Sequence, residues 1–349
     1  MSPVQPLRIA ITTDPEIPVP PTHYGGIERI VDLLVRGLVK RGHDVTLFAH
    51  RDSDVPCTIV PYPGLESQSK RDLLFNMWTV SSKVLRQPYD LVHSFGRLAY
   101  LLLMLPLRMP KLMSYQRPAS PRSVSWGERL ARGTLNFSVP SRFLLGSFAG
   151  RANWYVVHNG VPIATYDFRD QVDDGAPLMF LGKVEDIKGP HLAIEVALRS
   201  GRSLVIAGNV PDGPQHRAFF DEKISPHVDG KMIQYVGPVT DVQKNDLLGG
   251  AAAFLMPVLW DEGFGIVMAE ALACGTPIIG LNRGAMPEVV EDGVNGFLCE
   301  SVDEMVAAVG RIQSIDRRAC RRVAELKFSD QAIVDAYEEL YRKVLDNGT

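Results

Sequence analysis

The segment from Ala251 to Pro277 constrains this chain more than any other. Ala251 to Pro257 is an apolar run that reads as a buried strand. Asp261-Glu262-Gly263-Phe264-Gly265 then supplies the glycines a tight turn needs. Ile266 to Cys274 holds good helix formers without a breaker, and Gly275-Thr276-Pro277 ends the helix. A strand, a Gly-rich turn and a helix start leave backbone N–H groups at the positive end of a helix dipole, where a phosphate is favoured. Glu262 lies just before that helix, and Glu270, eight residues later, about one turn inside it. A diphosphate on the N–H groups, with a carboxylate toward the hydroxyls at each end, fits a nucleotide-sugar.

The rest of the chain alternates strands and helices around this unit. In the N-terminal half, strands are expected at Leu7–Thr12, Asp44–Phe48, Cys57–Val60, Leu91–Ser94, Lys111–Tyr115 and Trp154–Val157. Between the first two, Ile27, Ile30, Val31, Leu34, Val35 and Leu38 recur at helical spacing over 27–41. After Asn159-Gly160-Val161-Pro162, the polar, acidic stretch 167–175 reads as an interdomain linker. A second alternation has strands at 178–181, 203–207, 233–236, 253–256 and 277–280, and a last helix spans about 330–345. The expected fold class is α/β, with two doubly wound, Rossmann-like parallel-sheet domains facing a central cleft. The expected boundaries are 1–165 for the N-terminal domain, 166–328 for the C-terminal domain and 329–349 for a terminal helix.

With 349 residues the chain has room for two such domains. The formal net charge of −3 argues against a nucleic-acid binder. Cys57, Cys274, Cys299 and Cys320 lack paired spacing, so neither a disulfide framework nor a zinc site is expected. No apolar run approaches the ~18–20 residues of a membrane span. The chain opens without a basic-then-apolar signal pattern, and a cytoplasmic protein is expected. Charge is uneven, however. Residues 97–151 carry nine basic side chains (Arg97, Arg108, Lys111, Arg117, Arg122, Arg129, Arg132, Arg142, Arg151) against Glu128 alone. They read either as scattered solvated charge or as a basic face for an anionic acceptor or membrane surface, which would place the protein peripherally on the membrane's inner face.

Taken in order, these motifs resemble the retaining GT-B-fold glycosyltransferases grouped as family 4. Gly25-Gly26-Ile27-Glu28 resembles the family's N-terminal Gly-Gly loop, and Arg41-Gly42-His43-Asp44-Val45 the start of its second strand. Val92-His93-Ser94 matches a strand-end histidine, and His158-Asn159-Gly160-Val161 the hinge. Gly182-Lys183 with Lys188-Gly189 resembles the family's basic pair, and Glu262 to Glu270 its paired-glutamate motif. The family more often has arginine where Lys183 stands. Lysine keeps the charge but loses the bidentate fork, so diphosphate binding rests more on point charge and on Lys188.

The resemblance implies a catalytic set of Glu262, Lys183, Lys188 and His93. It implies a donor-binding set of Gly25, Gly26, Val239, Phe264, Gly265, Ile266, Val267 and Glu270, with no metal ligands and no cofactor beyond the nucleotide-sugar donor. Glu262 would contact hydroxyls of the transferred sugar and Glu270 the ribose. Backbone N–H groups of Phe264 to Val267 would meet sugar or phosphate, and the segment Tyr235 to Val239 the base. The bland readings are a satisfied core histidine for His93 and a plain tight turn for Gly25-Gly26, while Glu28 reads as a structural cap or ion pair. Asp52-Ser53-Asp54 imitates a metal-binding Asp-x-Asp but reads as a solvated loop. The activity expected is transfer of a hexose from a UDP- or GDP-sugar to a hydroxyl acceptor (a sugar, a lipid-linked group or a small molecule). The alternatives are a nucleotide-sugar 2-epimerase of the same fold and a non-catalytic nucleotide-sugar-binding partner.

Overall fold

The computed structural model describes residues 5–22 and 25–346. The chain divides into two units, Met1–Asn159 with Asp330–Thr349, and Gly160–Ser329. The first boundary falls before residue 160 rather than after 165. The Val161 N–H donates to the Phe328 carbonyl at 2.8 Å, which ties 160–165 to the second unit. The expected linker at 167–175 also belongs to that unit. The Arg169 N–H donates to the Cys274 carbonyl and its guanidinium pairs with Asp246 at 2.6 Å.

The first unit holds seven parallel strands: β1 (Arg8–Thr12), β2 (Asp44–Ala49), β3 (Thr58–Pro61), β4 (Leu91–Ser94), β5 (Lys111–Ser114), β6 (Leu135–Val139) and β7 (Trp154–Val156), in the order β3-β2-β1-β4-β5-β6-β7. Its helices include α1 (Gly26–Lys40), α2 (Lys70–Arg86), α3 (Pro121–Ala131) and the short α4 (Arg142–Leu145), and a 3-10 segment spans Leu98–Met104. Ile30, Val31, Leu34, Val35 and Leu38 form the buried stripe of α1 that its spacing predicts. Strand order runs one way from β1 to β3 and the other way from β4 to β7. Right-handed crossovers therefore put α1 on one face of the sheet and α2 and α3 on the other.

Sequence reading missed β6. Its run Leu135-Asn136-Phe137-Ser138-Val139 is buried throughout although two residues are polar. Ser138 is satisfied by Ser114 on the neighbouring strand, with Oγ atoms 2.5 Å apart, so the polar residues do not mark an outward face.

The second unit is a six-stranded parallel sheet of β8 (Leu178–Leu181), β9 (Leu204–Ala207), β10 (Ile233–Gly237), β11 (Ala253–Met256), β12 (Ile278–Leu281) and β13 (Gly296–Cys299), ordered β10-β9-β8-β11-β12-β13. Its helices are α5 (Pro190–Ser200), α6 (Pro214–Phe219), α7 (Asp241–Gly250), α8 (Ile266–Ala273), α9 (Met286–Val289), α10 (Val302–Val309) and α11 (Arg317–Lys327). Sequence reading also missed β13, which opens on Gly296. That glycine lies against the Ile278 backbone of β12, where a side chain has no room. Arg317 is buried and binds four oxygens, those of Arg169, Ala251, Gly249 and Thr276, at 2.7–2.9 Å, which locks α11 onto the unit.

The last helix, α12 (Asp330–Asp346), belongs to the first unit. Gly37 of α1 leaves room for the Val334 side chain, so the two helices approach closely. Glu338 accepts from Arg41, and its other oxygen lies 2.7 Å from His43 Nε2. Burial alone would raise the Glu338 pKa, but the His43 and Arg41 contacts outweigh it and hold the carboxyl below its ordinary range. Among the described residues no helix is long and apolar enough to cross a membrane.

Candidate active site

In each open parallel sheet, the crevice beyond the strand ends where the order reverses is the favoured ligand site. In the second unit that point lies between β8 and β11. The loops following these strands are joined by their backbones. Gly189, at φ 72°, lies so close to the Pro257 carbonyl that any side chain would overlap it, and the Leu259 N–H donates to the Ile187 carbonyl at 2.9 Å. The β11 loop turns into α8 through Gly265, whose φ of 74° and ψ of 74° suit glycine. The first turn of α8 therefore presents its N–H groups at this edge. The turn after β12 closes the other side, where the Ala285 N–H donates to the Glu262 carbonyl at 2.9 Å.

Glu262 and Lys188 meet here. Lys188 Nζ lies 2.6 Å from Glu262 Oε2, and the same oxygen accepts from Trp260 Nε1 at 3.1 Å. The ammonium also sits 4.6 Å from the centre of the Trp260 ring. Trp260 was not singled out from sequence; its position one residue outside the Asp261–Pro277 motif was the only cue. Lys183, partly buried, follows β8 two residues after Leu181 on the loop that carries Lys188. The arrangement puts an ammonium, a carboxylate and a helix N-terminus beside one another, the set needed to hold an anion and a hydroxyl together.

Glu270 is buried inside α8, at 6% exposure. Its Oε1 accepts from Lys244 Nζ at 2.6 Å and from the Tyr166 hydroxyl at 2.8 Å. Neither partner was picked out from sequence, since a lone lysine in α7 and a tyrosine after the hinge carry no motif. Ile266 and Val267 are half-buried at the start of α8, whereas the Phe264 side chain packs edge-on against Phe328, 5.6 Å between centres, leaving only its backbone at the turn. Val239 is partly buried beyond β10, where the Tyr235 hydroxyl donates to the Gly208 carbonyl at 2.9 Å.

In the first unit the structure corrects the reading of His93. It is the penultimate residue of β4 and has no exposed surface. Nδ1 lies 2.8 Å from the Tyr341 hydroxyl and Nε2 2.6 Å from Ser114 Oγ. Both ring nitrogens are occupied within the core, and burial pushes the pKa well below the ordinary histidine value. In the structure His93 is a satisfied core residue that fastens α12, rather than a group presented to a ligand.

Gly25 caps α1 in extended backbone, and a side chain there would meet Pro21 Cβ at 2.7 Å and Glu28 Oε2 at 2.8 Å; Gly26 begins the helix. Glu28 is buried, and its carboxyl is raised chiefly by that burial. Asp14, beyond β1, is likewise raised, first by burial, with Arg97 Nε 3.8 Å from its Oδ1. These residues line the β1/β4 switch point of the first sheet. Asp52-Ser53-Asp54 is structural, because Ser53 is buried and its hydroxyl accepts the Val19 N–H at 3.0 Å.

The basic stretch 97–151 is also revised. Lys111 is buried and its ammonium is held by the Leu107 and Met109 carbonyls and the Thr134 hydroxyl, with burial pushing its pKa down to about 8. Arg97 binds the Ser67 hydroxyl, and Arg151 pairs with Glu128.

Comparison with known proteins gives the same assignment from both halves of the chain. Residues 24–165 match the model "Glycosyltransferase Family 4", and residues 167–324 match "Glycosyl transferases group 1". The N-acetyl-alpha-D-glucosaminyl L-malate synthase of Bacillus anthracis is 34% identical over 39% of this chain and 37% of its own. The crystal structure of AviGT4, a glycosyltransferase involved in avilamycin A biosynthesis, superposes with a TM-score of 0.73 at 26% identity, covering 98% of each chain. HepE of Anabaena, solved in complex with UDP and glucose, shares the fold at a TM-score of 0.73 and 18% identity over 96% of this chain and 99% of its own.

Proposed function

The chain belongs to the glycosyltransferases of group 1 and family 4, and on that premise we propose that it moves a hexose from a UDP- or GDP-sugar to a hydroxyl acceptor with retention of configuration. The observation that carries this reading is the Lys188–Glu262 pair beside the first turn of α8, at the switch point of the second sheet. A diphosphate seated on the α8 N–H groups draws the Lys188 ammonium to itself and frees Glu262 to accept sugar hydroxyls. As the glycosidic bond breaks, the leaving diphosphate gains negative charge. Lys188, Lys183 and the helix dipole stabilise that charge more than they stabilise the bound donor. These fixed positive groups serve the role a divalent cation has elsewhere, so turnover should survive chelation of metals.

The side chains bonded to Glu262, those of Lys188 and Trp260, are not nucleophiles for this chemistry, which favours front-face displacement. In that scheme a donor phosphate oxygen takes the acceptor hydroxyl's proton. Glu270, braced by Lys244 and Tyr166, is the group for the ribose hydroxyls. The binding of UDP-glucose in HepE supports a uridine donor here. On the first unit, Asp14 and Glu28 with Arg97 offer carboxylates and a guanidinium suited to a polyhydroxylated acceptor.

A thermal-shift screen of nucleoside diphosphates and their sugars tests the donor site, because a ligand that binds only the native state raises the melting temperature. Lys188→Ala should weaken nucleoside diphosphate binding about 10- to 100-fold, the worth of one charge-assisted hydrogen bond. Glu262→Ala should remove sugar transfer and donor hydrolysis while keeping the fold. Undiminished turnover in Glu262→Ala, or no shift with any nucleotide, would sink the reading.

A further inference from the structure

Helix α2 is apolar on both sides. Its inner stripe, Val80 and Val84 with Asn76 locked to both backbone groups of Gly64, is buried against the first unit. Its outer stripe carries Leu74, Phe75, Trp78 and Leu85 at helical spacing, between 48% and 63% exposed. An ordinary surface helix places charged and polar residues there. The 3-10 segment Leu98–Met104 packs along α2 and adds exposed Leu102 and Leu103. On its other side Leu98 lies against Gly127 of α3, whose outer surface shows Trp126, 63% exposed, and Leu130. These three elements follow consecutive crossovers on one face of the sheet, which puts their exposed apolar residues on the same side of the unit.

The charge around this surface is predominantly basic. Residues 67–159 contain 13 basic and three acidic side chains in a chain of net charge −3. Of the basic ones, Lys111 is buried and Arg97 turns to Ser67 and Asp14 rather than to this face. All three acids are engaged. Asp72 accepts from the Leu65 and Glu66 N–H groups, Asp90 pairs with Arg8, and Glu128 pairs with Arg151. Arg71 lies over the Phe75 ring at 5.5 Å, and Arg122 and Arg129 are exposed beside Trp126 on α3.

We propose that the α2–α3 face of the first unit docks on an anionic lipid bilayer. Exposed tryptophan, leucine and phenylalanine rimmed by lysine and arginine is the composition that enters the headgroup region, and the charge complements acidic headgroups. A second copy of the chain is the poorer occupant, because a two-fold contact would set this basic face against itself. The anchor therefore lies largely on α2, upstream of the 97–151 stretch that the charge count alone points to. The proposal is independent of the sugar-transfer chemistry, because none of these residues belongs to the β8/β11 site.

The test is cosedimentation of the full chain with vesicles of equal parts phosphatidylcholine and phosphatidylglycerol at low salt, beside vesicles of phosphatidylcholine alone. Binding to the mixed vesicles only, reversed by salt, is expected. Leu74→Ser with Trp78→Ser should lower the bound fraction by about tenfold or more. Arg122→Gln with Arg129→Gln should lower it by about fivefold per charge. Both variants should keep the circular dichroism and nucleotide-induced thermal shift of the parent, which separates loss of docking from loss of the donor site. The proposal is overturned if the parent does not pellet with anionic vesicles, or if both variants pellet undiminished. A dimer in solution that Trp78→Ser dissolves, with no vesicle binding, would assign the face to a second copy and overturn it too.

Discussion

Gly189 and Gly201 bracket helix α5 and share almost one backbone conformation, φ 72° and ψ 30° against φ 67° and ψ 20°. Alanine at either position has the same left-handed backbone cost, about 1–2 kcal/mol. The surroundings differ. Nothing lies within 4 Å of a Cβ at 201, whereas a Cβ at 189 overlaps the Pro257 carbonyl, with the carbonyl carbon 2.9 Å away. The overlapped atoms are backbone and cannot rotate aside, so the β8 and β11 loops must part by roughly 1 Å to restore ordinary contact. That displacement separates Lys188 from Glu262, and a 1 Å misplacement of catalytic groups costs about a hundredfold in rate. Gly201→Ala should therefore lower the melting temperature by roughly 2–8 °C, at about 2–4 °C per kcal/mol for a unit of this size, and leave nucleotide binding unchanged. Gly189→Ala should lose more stability and about a hundredfold in donor turnover. Differential scanning fluorimetry with a donor-turnover assay measures both. Equal stability losses with equal turnover would refute the claim that this approach holds the two loops in register.

Two further outcomes concern the first unit. Glu338 has a folded pKa below its ordinary 4.5, so its ion pairs stabilise α12 above that value and are lost as pH falls through the depressed one. Acid unfolding followed by tyrosine fluorescence should begin at higher pH in Arg41→Gln, and an unchanged acid midpoint would contradict the role of the pair. Lys111 is shifted the other way, from 10.5 to about 8. Between those values the unfolded chain binds the extra proton, so this site adds stability as pH rises from 8 to 10.5. Lys111→Met should flatten that slope relative to the parent in urea melts, and parallel slopes would count against burial as the cause.

Much of the architecture was legible because strand and helix periods alternate plainly. Leu178–Leu181 and Ala253–Met256 are bare apolar runs, and α1 shows its stripe in the spacing of Ile30 to Leu38. The two missed strands had their pattern disturbed by local demands: Asn136 and Ser138 are buried polar residues, and Gly296 is a close approach to Ile278. At the candidate site, Glu262 and the α8 turn were legible because local chain geometry places them, whereas Lys188 was legible only through the family resemblance of its own segment. Trp260, Lys244 and Tyr166 escaped notice because only the tertiary fold brings them to the carboxylates. His93 shows the opposite error. Its place at a strand end is local, but its partners Tyr341 and Ser114 come from α12 and β5, and no sequence period reveals that they fill both nitrogens.

The return of α12 to the first unit has a consequence for biosynthesis. The sheet of seven strands is complete in sequence by Val156, yet His93, Ser114 and His43 each wait for one side-chain partner supplied by residues 337–341. At ribosomal speeds, translating the intervening stretch takes roughly 10–40 s. During that interval the α1 surface at Gly37 and the core polar groups at His93 and Ser114 lack the α12 side chains that cover them in the finished unit. The second half, continuous from 160 to 329, has no such delay and can mature first.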